Sequence, residues 1–449
     1  MITAKQFLCL CLASVLLFSG CTSAPQPTYT VTDPALSPRY SGSPQGIKLG
    51  IVVFLSGGAA EPFGIPAKNG AEIMIQAINQ GTAPPPYNQP GIAGVPITYL
   101  MIDEAGGAEK QAAELNRLFV EEKVDLVIGY TSSADCLAAA PVAEGLQKLL
   151  VIFDCGTSRL FEEQDYSYVF RTNAHQAIDS IGGARYLLYT NPDVLTVAGI
   201  NQNYSWGQDS WAHFRDTLQT LKPDIHILTE QYPKIEAGDY SAEISVLMQL
   251  RPQYIHTSFW GSDLEALIRQ SISKGLPKTS RYLLSVGEYA LPGLKNLVPE
   301  GTIIGAHGPH GVMAPDSALK DWLEQIYQER FQVRPTYPVY HMAQAILGVK
   351  AAYEAAAEKE GQWPALEQVI RSFQYSEFPT PSGTITMAIG KGHQAVEPAV
   401  YGTAGAYDPV LKEVEIENIK TYPAVCVNPP EGMTTEQWIK DGFPGNQCP

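Results

Sequence analysis

Two short polar loops hold the residues best placed for chemistry: Thr131-Ser132-Ser133 after the apolar run 125–129, and Asp154-Cys155-Gly156-Thr157 at the end of the run 149–154. Both runs are short and apolar, the pattern of strands buried in a parallel sheet. In such sheets a ligand sits beyond the carboxyl ends of the strands, where loops lead into helices. If a helix starts at the serines, its unpaired N–H groups and the hydroxyls of Ser132 and Ser133 form a corner suited to a carboxylate, with no buried cation required. The competing reading makes Ser132 a helix N-cap and Ser133 a first-turn residue. Gly156 lets the main chain approach a ligand, and Thr157 adds a hydroxyl. Covalent catalysis finds no motif: the chain has no Gly-x-Ser-x-Gly elbow, no Gly-Lys-Ser phosphate loop and no His-Glu-x-x-His pair. His307 and His310 flank a Gly-Pro turn, and two imidazoles alone are a poor metal site. No catalytic residue, metal or cofactor is therefore expected.

The elements that must position these loops fall into two successive series. Strands are expected at 48–55, 97–103, 125–129 and 149–154. Helices between them carry apolar residues at i, i+3, i+4 and i+7, as in Ala71, Met74, Ile75 and Ile78. A second series follows Phe170-Arg171-Thr172, with strands at 194–200, 226–229, 254–259, 281–286 and 302–306 and helices at 211–221, 244–250 and 264–273. A helix over 339–357, strands at 383–387 and 399–402, and a Pro-rich irregular tail complete the chain. Strands alternating with helices give parallel sheets covered on both faces. About 400 residues exceed one compact core. The fold expected is α/β, two Rossmann-like lobes with parallel-rich sheets sharing a hinge.

The ends and the composition bound the setting. Lys5 precedes the apolar run Phe7 to Phe18, and the small pair Ser19-Gly20 precedes Cys21, so residues 1–20 are expected to be a secretory signal. That run is too short to cross a hydrocarbon core of roughly 30 Å. Residues 21–46, rich in Pro, Ser and Thr, are expected to be a flexible linker. A formal net charge of -16 argues against a nucleic-acid partner. Of the seven cysteines, Cys136, Cys155, Cys426 and Cys448 remain beyond the linker. They allow three pairings, and proximity in sequence favours Cys136 with Cys155 and Cys426 with Cys448.

Several segments, in order, resemble the branched-chain amino-acid binding family of ABC-transporter solute-binding proteins, the type I periplasmic binding fold. They are Ile47-Lys48-Leu49-Gly50-Ile51, Leu55-Ser56-Gly57, Phe63-Gly64, Asn69-Gly70-Ala71-Glu72, Asp103 and Gly129-Tyr130-Thr131-Ser132-Ser133, then Phe170-Arg171-Thr172, Tyr204-Ser205-Trp206-Gly207-Gln208-Asp209 and Gly392-His393-Gln394 with Glu397-Pro398. Phe18-Ser19-Gly20-Cys21 also resembles a bacterial lipobox, which makes Cys21 a lipid-attachment site and anchors the domain outside the cytoplasm. The resemblance implies lobe one at 47–172 and 307–381, lobe two at 173–306 and 382–422, a three-segment hinge, and a tail at 423–449.

It also implies a monomer that binds an amino acid or related acid or amide between the lobes and delivers it to the permease and ATPase of an importer. By the resemblance, the Ser132-Ser133 loop takes the ligand's carboxylate, and Gly156 and Thr157 contact the ligand. Phe63 walls the side-chain end. Trp206 and Trp260, just past strands of lobe two, cap the ligand on closure, unless they are ordinary core tryptophans. Glu288, in preference to Asp103, pairs with the ligand's ammonium. Two other functions stay open: a sensor receptor that reports to a signalling partner, and an extracytoplasmic hydrolase.

Overall fold

The structure is a computed structural model that describes residues 36, 38–410, 412–446 and 448. The expected signal and lipid-attachment residue Cys21 lie outside the described residues.

Five parallel strands open the chain: β1 (Ile47–Val53), β2 (Ile97–Asp103), β3 (Leu126–Gly129), β4 (Leu149–Ile152) and β5 (Val169–Arg171). Their residues are buried on nearly every position, as strands covered by helices on both faces must be. The chain then crosses to a second parallel set: β6 (Thr196–Ile200), β7 (His226–Gln231), β8 (Tyr254–Thr257), β9 (Arg281–Leu284) and β10 (Ile303–Gly305). It returns through the buried helix Tyr337–Glu360 to β11 (Glu377–Thr380), β12 (Gly383–Ala388) and β13 (Gln394–Val396). It ends in the antiparallel pair β14 (Ala399–Asp408) and β15 (Glu413–Tyr422).

The first sheet has eight strands in the order β11-β12-β13-β5-β4-β3-β1-β2, and the second has seven in the order β15-β14-β10-β9-β8-β6-β7. These are the two parallel-rich α/β lobes that the sequence implies.

Three boundaries differ from expectation. The linker expected over 21–46 docks on the first lobe near its end, where the Arg39 N–H donates to the Ala93 carbonyl and the Trp363 N–H to the Ser41 carbonyl. The resemblance implies that the segment from Ser382 belongs to lobe two, yet β12 and β13 extend the first sheet, with Gln394 paired to Arg171. The third crossing therefore falls at Glu397-Pro398, between β13 and β14. The tail is not an irregular appendage. Its helix Thr435–Lys440 buries Trp438 and Ile439, each 1 % exposed. Phe443 beside it lies under the Arg185 guanidinium, 4.9 Å from the ring centre. Thr435 also donates from its N–H and hydroxyl to Glu162, which precedes β5 in lobe one. Apolar side chains spaced for one helical face, Trp438 and Ile439 among them, needed a partner surface that only the folded second lobe supplies. Both favoured disulfides form, Cys136–Cys155 and Cys426–Cys448.

Candidate functional site

Loops leaving the carboxyl ends of β1, β3, β4, β6, β8, β9 and β10 meet in one small cavity of about 20 Å³. From lobe one come Phe63, Thr131, Ser133, Asp154, Gly156 and Tyr337; from lobe two come Tyr204, Trp206, Trp260 and Val286, with His307 on the second crossing. The Cys136–Cys155 bond ties the first turn of helix Ser133–Leu146 to the loop after β4, so two walls of the cavity are covalently joined.

The lobes stand closed. A Cβ on Gly156 would lie 2.2 Å from Cζ3 of Trp206, so the indole of one lobe rests directly on the main chain of the other. Trp206 belongs to the first turn of helix Ser205–Leu221 and not to an exposed loop; its Nε1–H donates to the Ser258 carbonyl at 2.8 Å. Phe63 reaches across to Tyr289 and Trp260, with ring centres 4.4 Å and 5.4 Å away. The Ser262 N–H donates to the Gly58 carbonyl at 3.1 Å. Arg159 grips both carboxylate oxygens of Asp209 at 2.6 and 2.7 Å.

Of the residues singled out in the sequence, Phe63, Ser133, Gly156, Trp206 and Trp260 line the cavity. Ser132, Thr157 and Glu288 do not. Ser132 occupies the N-cap position, and its N–H is spent on Glu104 at 2.7 Å. Thr157 is fully buried, with its carbonyl accepting from the Arg171 guanidinium. Glu288 pairs with His310 Nε2 at 2.6 Å. Asp103 accepts from the Leu55 N–H and the Ser56 hydroxyl, away from the cavity.

Five acidic and imidazole groups, Glu104, Asp135, Asp154, Asp179 and His341, have no role assigned from the sequence. Glu104 is completely buried and accepts from the N–H groups of Thr131 and Ser132, filling the corner expected for a ligand carboxylate. Burial, with Asp135 nearby, holds its carboxyl well above the ordinary range, and burial pushes Asp135 up to about 6. Asp154 Oδ1 accepts from His341 Nδ1 at 2.6 Å, and His307 Nδ1 donates to Asp179 Oδ2 at 2.6 Å. Burial works against charge on His307, but the Asp179 and Asp154 carboxylates outweigh it and raise its pKa; on His341 burial wins and favours the neutral ring.

His307 thus finds its partners in Asp179, Asp154 and His341 and not in His310, a grouping of residues 154, 179, 307 and 341 that sequence spacing cannot reveal. Ligand-capable atoms of Asp154, His307 and His341 lie within 4.8 Å of one another. Their arrangement is that of a hydrogen-bond chain: the 2.6 Å contact is shorter than the roughly 3.4 Å between ligands of a tetrahedral zinc.

Two α/β lobes joined by three crossings and closed over an aromatic and polar cavity define a two-lobed binding protein. The chain belongs to the periplasmic binding protein family, whose model matches residues 46–405. Solved structures share the fold. A solute-binding protein of an ABC transporter from Rhodopseudomonas palustris BisB5, in complex with 3,4-dihydroxybenzoic acid, is 19% identical with a TM-score of 0.71, covering 85% of this chain and 98% of that one. A leucine-binding protein from Thermotoga maritima is 20% identical with a TM-score of 0.68, covering 83% and 98%. A solute-binding protein from R. palustris in complex with 4-hydroxybenzoate is 17% identical with a TM-score of 0.71, covering 84% and 97%. No curated protein matches the chain.

Proposed function

We propose that this protein is the solute-binding component of an ABC importer, held outside the cytoplasm by lipid on Cys21, and that it closes on a small polar metabolite. The observation that carries this reading is the cavity shared by both lobes at the carboxyl ends of their strands. Among the described residues no helix is long and apolar enough to cross a membrane, so the lipobox-like Cys21 supplies the attachment in this reading. Phe63, Ser133, Gly156, Trp206 and Trp260 are the proposed ligand contacts among the residues first singled out. A ligand selects the closed form only through contacts it makes there and not in the open one, and Trp206 and Trp260 supply such contacts. A permease then reads the closed form.

Thermal unfolding across a panel of amino acids, aromatic acids, amines and small amides tests this. A true ligand raises Tm with concentration, by about 2.7 kcal/mol of stability at a hundred times Kd. A panel of broad chemistry that leaves Tm unmoved at millimolar concentration counts against a solute-binding role. Mass spectrometry of the membrane-extracted protein, looking for an acylated Cys21, tests the anchor separately.

A further inference from the structure

We propose that the cavity selects a small organic cation, an amine or quaternary ammonium compound, whose nitrogen sits against Asp154 inside an aromatic cage. This rests on the solute-binding reading and adds the class of solute.

Three observations converge. First, Phe63, Tyr204, Trp206, Trp260 and Tyr337 supply five of the eleven residues that line the cavity. Ring faces attract cations, most strongly where water is excluded. Second, Asp154 is only 3% exposed, and its Oδ2 has no hydrogen-bond partner among the described residues. A buried carboxylate oxygen on a cavity wall calls for a donor, and no lysine or arginine lines this cavity to provide one. The Thr131 hydroxyl oxygen is likewise without a partner and offers a second acceptor.

Third, the corner expected to hold an anion is already used. The N–H groups of Thr131 and Ser132 serve Glu104. Asp135 stands in the first turn of helix Ser133–Leu146 and offsets its positive end. His307 turns Nδ1 to Asp179 and Nε2 toward Asp154, 3.9 Å away, so both ring nitrogens already face carboxylates of the protein. An incoming carboxylate would meet Asp154 on the wall and a corner already filled by Glu104, with the Trp260 Nε1–H as a donor unpartnered among the described residues, whereas an ammonium would meet the unsatisfied Asp154 and Thr131 oxygens and ring faces.

Matched probes test the class. Tyramine and tyrosine differ by one carboxylate; choline, 4-hydroxybenzoate and zinc chloride complete the set. Binding is followed by calorimetry and by tryptophan emission from Trp206 and Trp260. The expected result is that tyramine or choline binds at least about tenfold tighter than tyrosine and 4-hydroxybenzoate. Asp154→Asn should weaken the cation by about tenfold or more. Trp260→Leu removes a cage wall without touching the buried acids; it should weaken the same ligand and stands in should Asp154→Asn not fold. Tighter binding of tyrosine or 4-hydroxybenzoate than of either cation overturns the proposal and leaves the solute-binding reading intact. Binding of zinc alone overturns it in favour of a metal at Asp154, His307 and His341. Silence from both amines overturns it too, while the wider panel described above judges the solute-binding reading by itself.

Discussion

At the end of β2 the chain places two neighbouring acids in opposite situations. Asp103 stays partly exposed and braces the loop after β1 through the Leu55 N–H and the Ser56 hydroxyl. Glu104 turns inward and takes the main-chain donors of Thr131 and Ser132, because successive side chains of a strand point to opposite faces. That single side chain changes what the β3 loop can recognise. Glu104→Ala should leave two part-buried donors unsatisfied and lower stability by about 1–3 kcal/mol in urea unfolding. It should also reopen the corner, so that 4-hydroxybenzoate affinity measured by calorimetry rises. A destabilised variant with no gain for the carboxylate would show that the corner is closed by something other than Glu104.

Crossings and the tail are where individual elements carry consequences. Glu397 ends the strand side of the third crossing, where Gln344 Nε2 donates to its Oε1 at 2.6 Å and Oε2 has no partner among the described residues. Burial raises its pKa from 4.5 to about 8. The folded state therefore holds this proton more tightly than the unfolded chain, so the contribution is full below about pH 4.5 and is lost as pH rises through about 8. Glu397→Gln keeps the acceptor and removes the titration. Its stability relative to the parent should grow between pH 5 and pH 9, by up to about 4 kcal/mol in urea unfolding at the two pH values. Equal pH profiles for parent and variant would rule this out. In the tail, Trp438 is buried beside Phe443, with ring centres 5.0 Å apart, and its Nε1–H donates to the Pro444 carbonyl. Trp438→Ala should cost about 3–5 kcal/mol, as truncation of a buried aromatic does, and a loss under about 1 kcal/mol would return the tail to the status of an appendage.

Across the whole molecule, closure rests on one tight steric contact, the ring contacts of Phe63 with Tyr289 and Trp260, and a few polar ones. The Trp206 ring on Gly156 leaves no room for a side chain at 156, while Ser262 to Gly58 and Arg159 to Asp209 tie the lobes at the rim. The Arg159 side chain is 38% exposed, so solvent screens its ion pair. Arg159→Ala should therefore cost closure only about 0.5–1 kcal/mol, seen as a two- to fivefold weaker ligand affinity with a slightly larger radius of gyration in X-ray scattering. A change of a hundredfold would mean that Arg159 contacts the ligand itself.

Local pattern was enough for much of this architecture. Runs such as 47–53 and 126–129 are apolar on both faces, which admits only a sheet covered by helices, and the stripe Ala71, Met74, Ile75 and Ile78 admits only an amphipathic helix. Strand ends then locate a cavity, which is why Ser133, Gly156 and Trp260 were found from sequence and do line it. What the chain order could not convey is which buried polar groups meet. Glu104 lies 27 residues from Thr131, and Asp179 lies 128 residues from His307, yet each pair is in hydrogen-bond contact. Hydrogen bonding and desolvation act over a few ångströms in space, whatever the separation along the chain, so the identity of the elements was written locally while the charge of the cavity was decided only when the two lobes folded and closed.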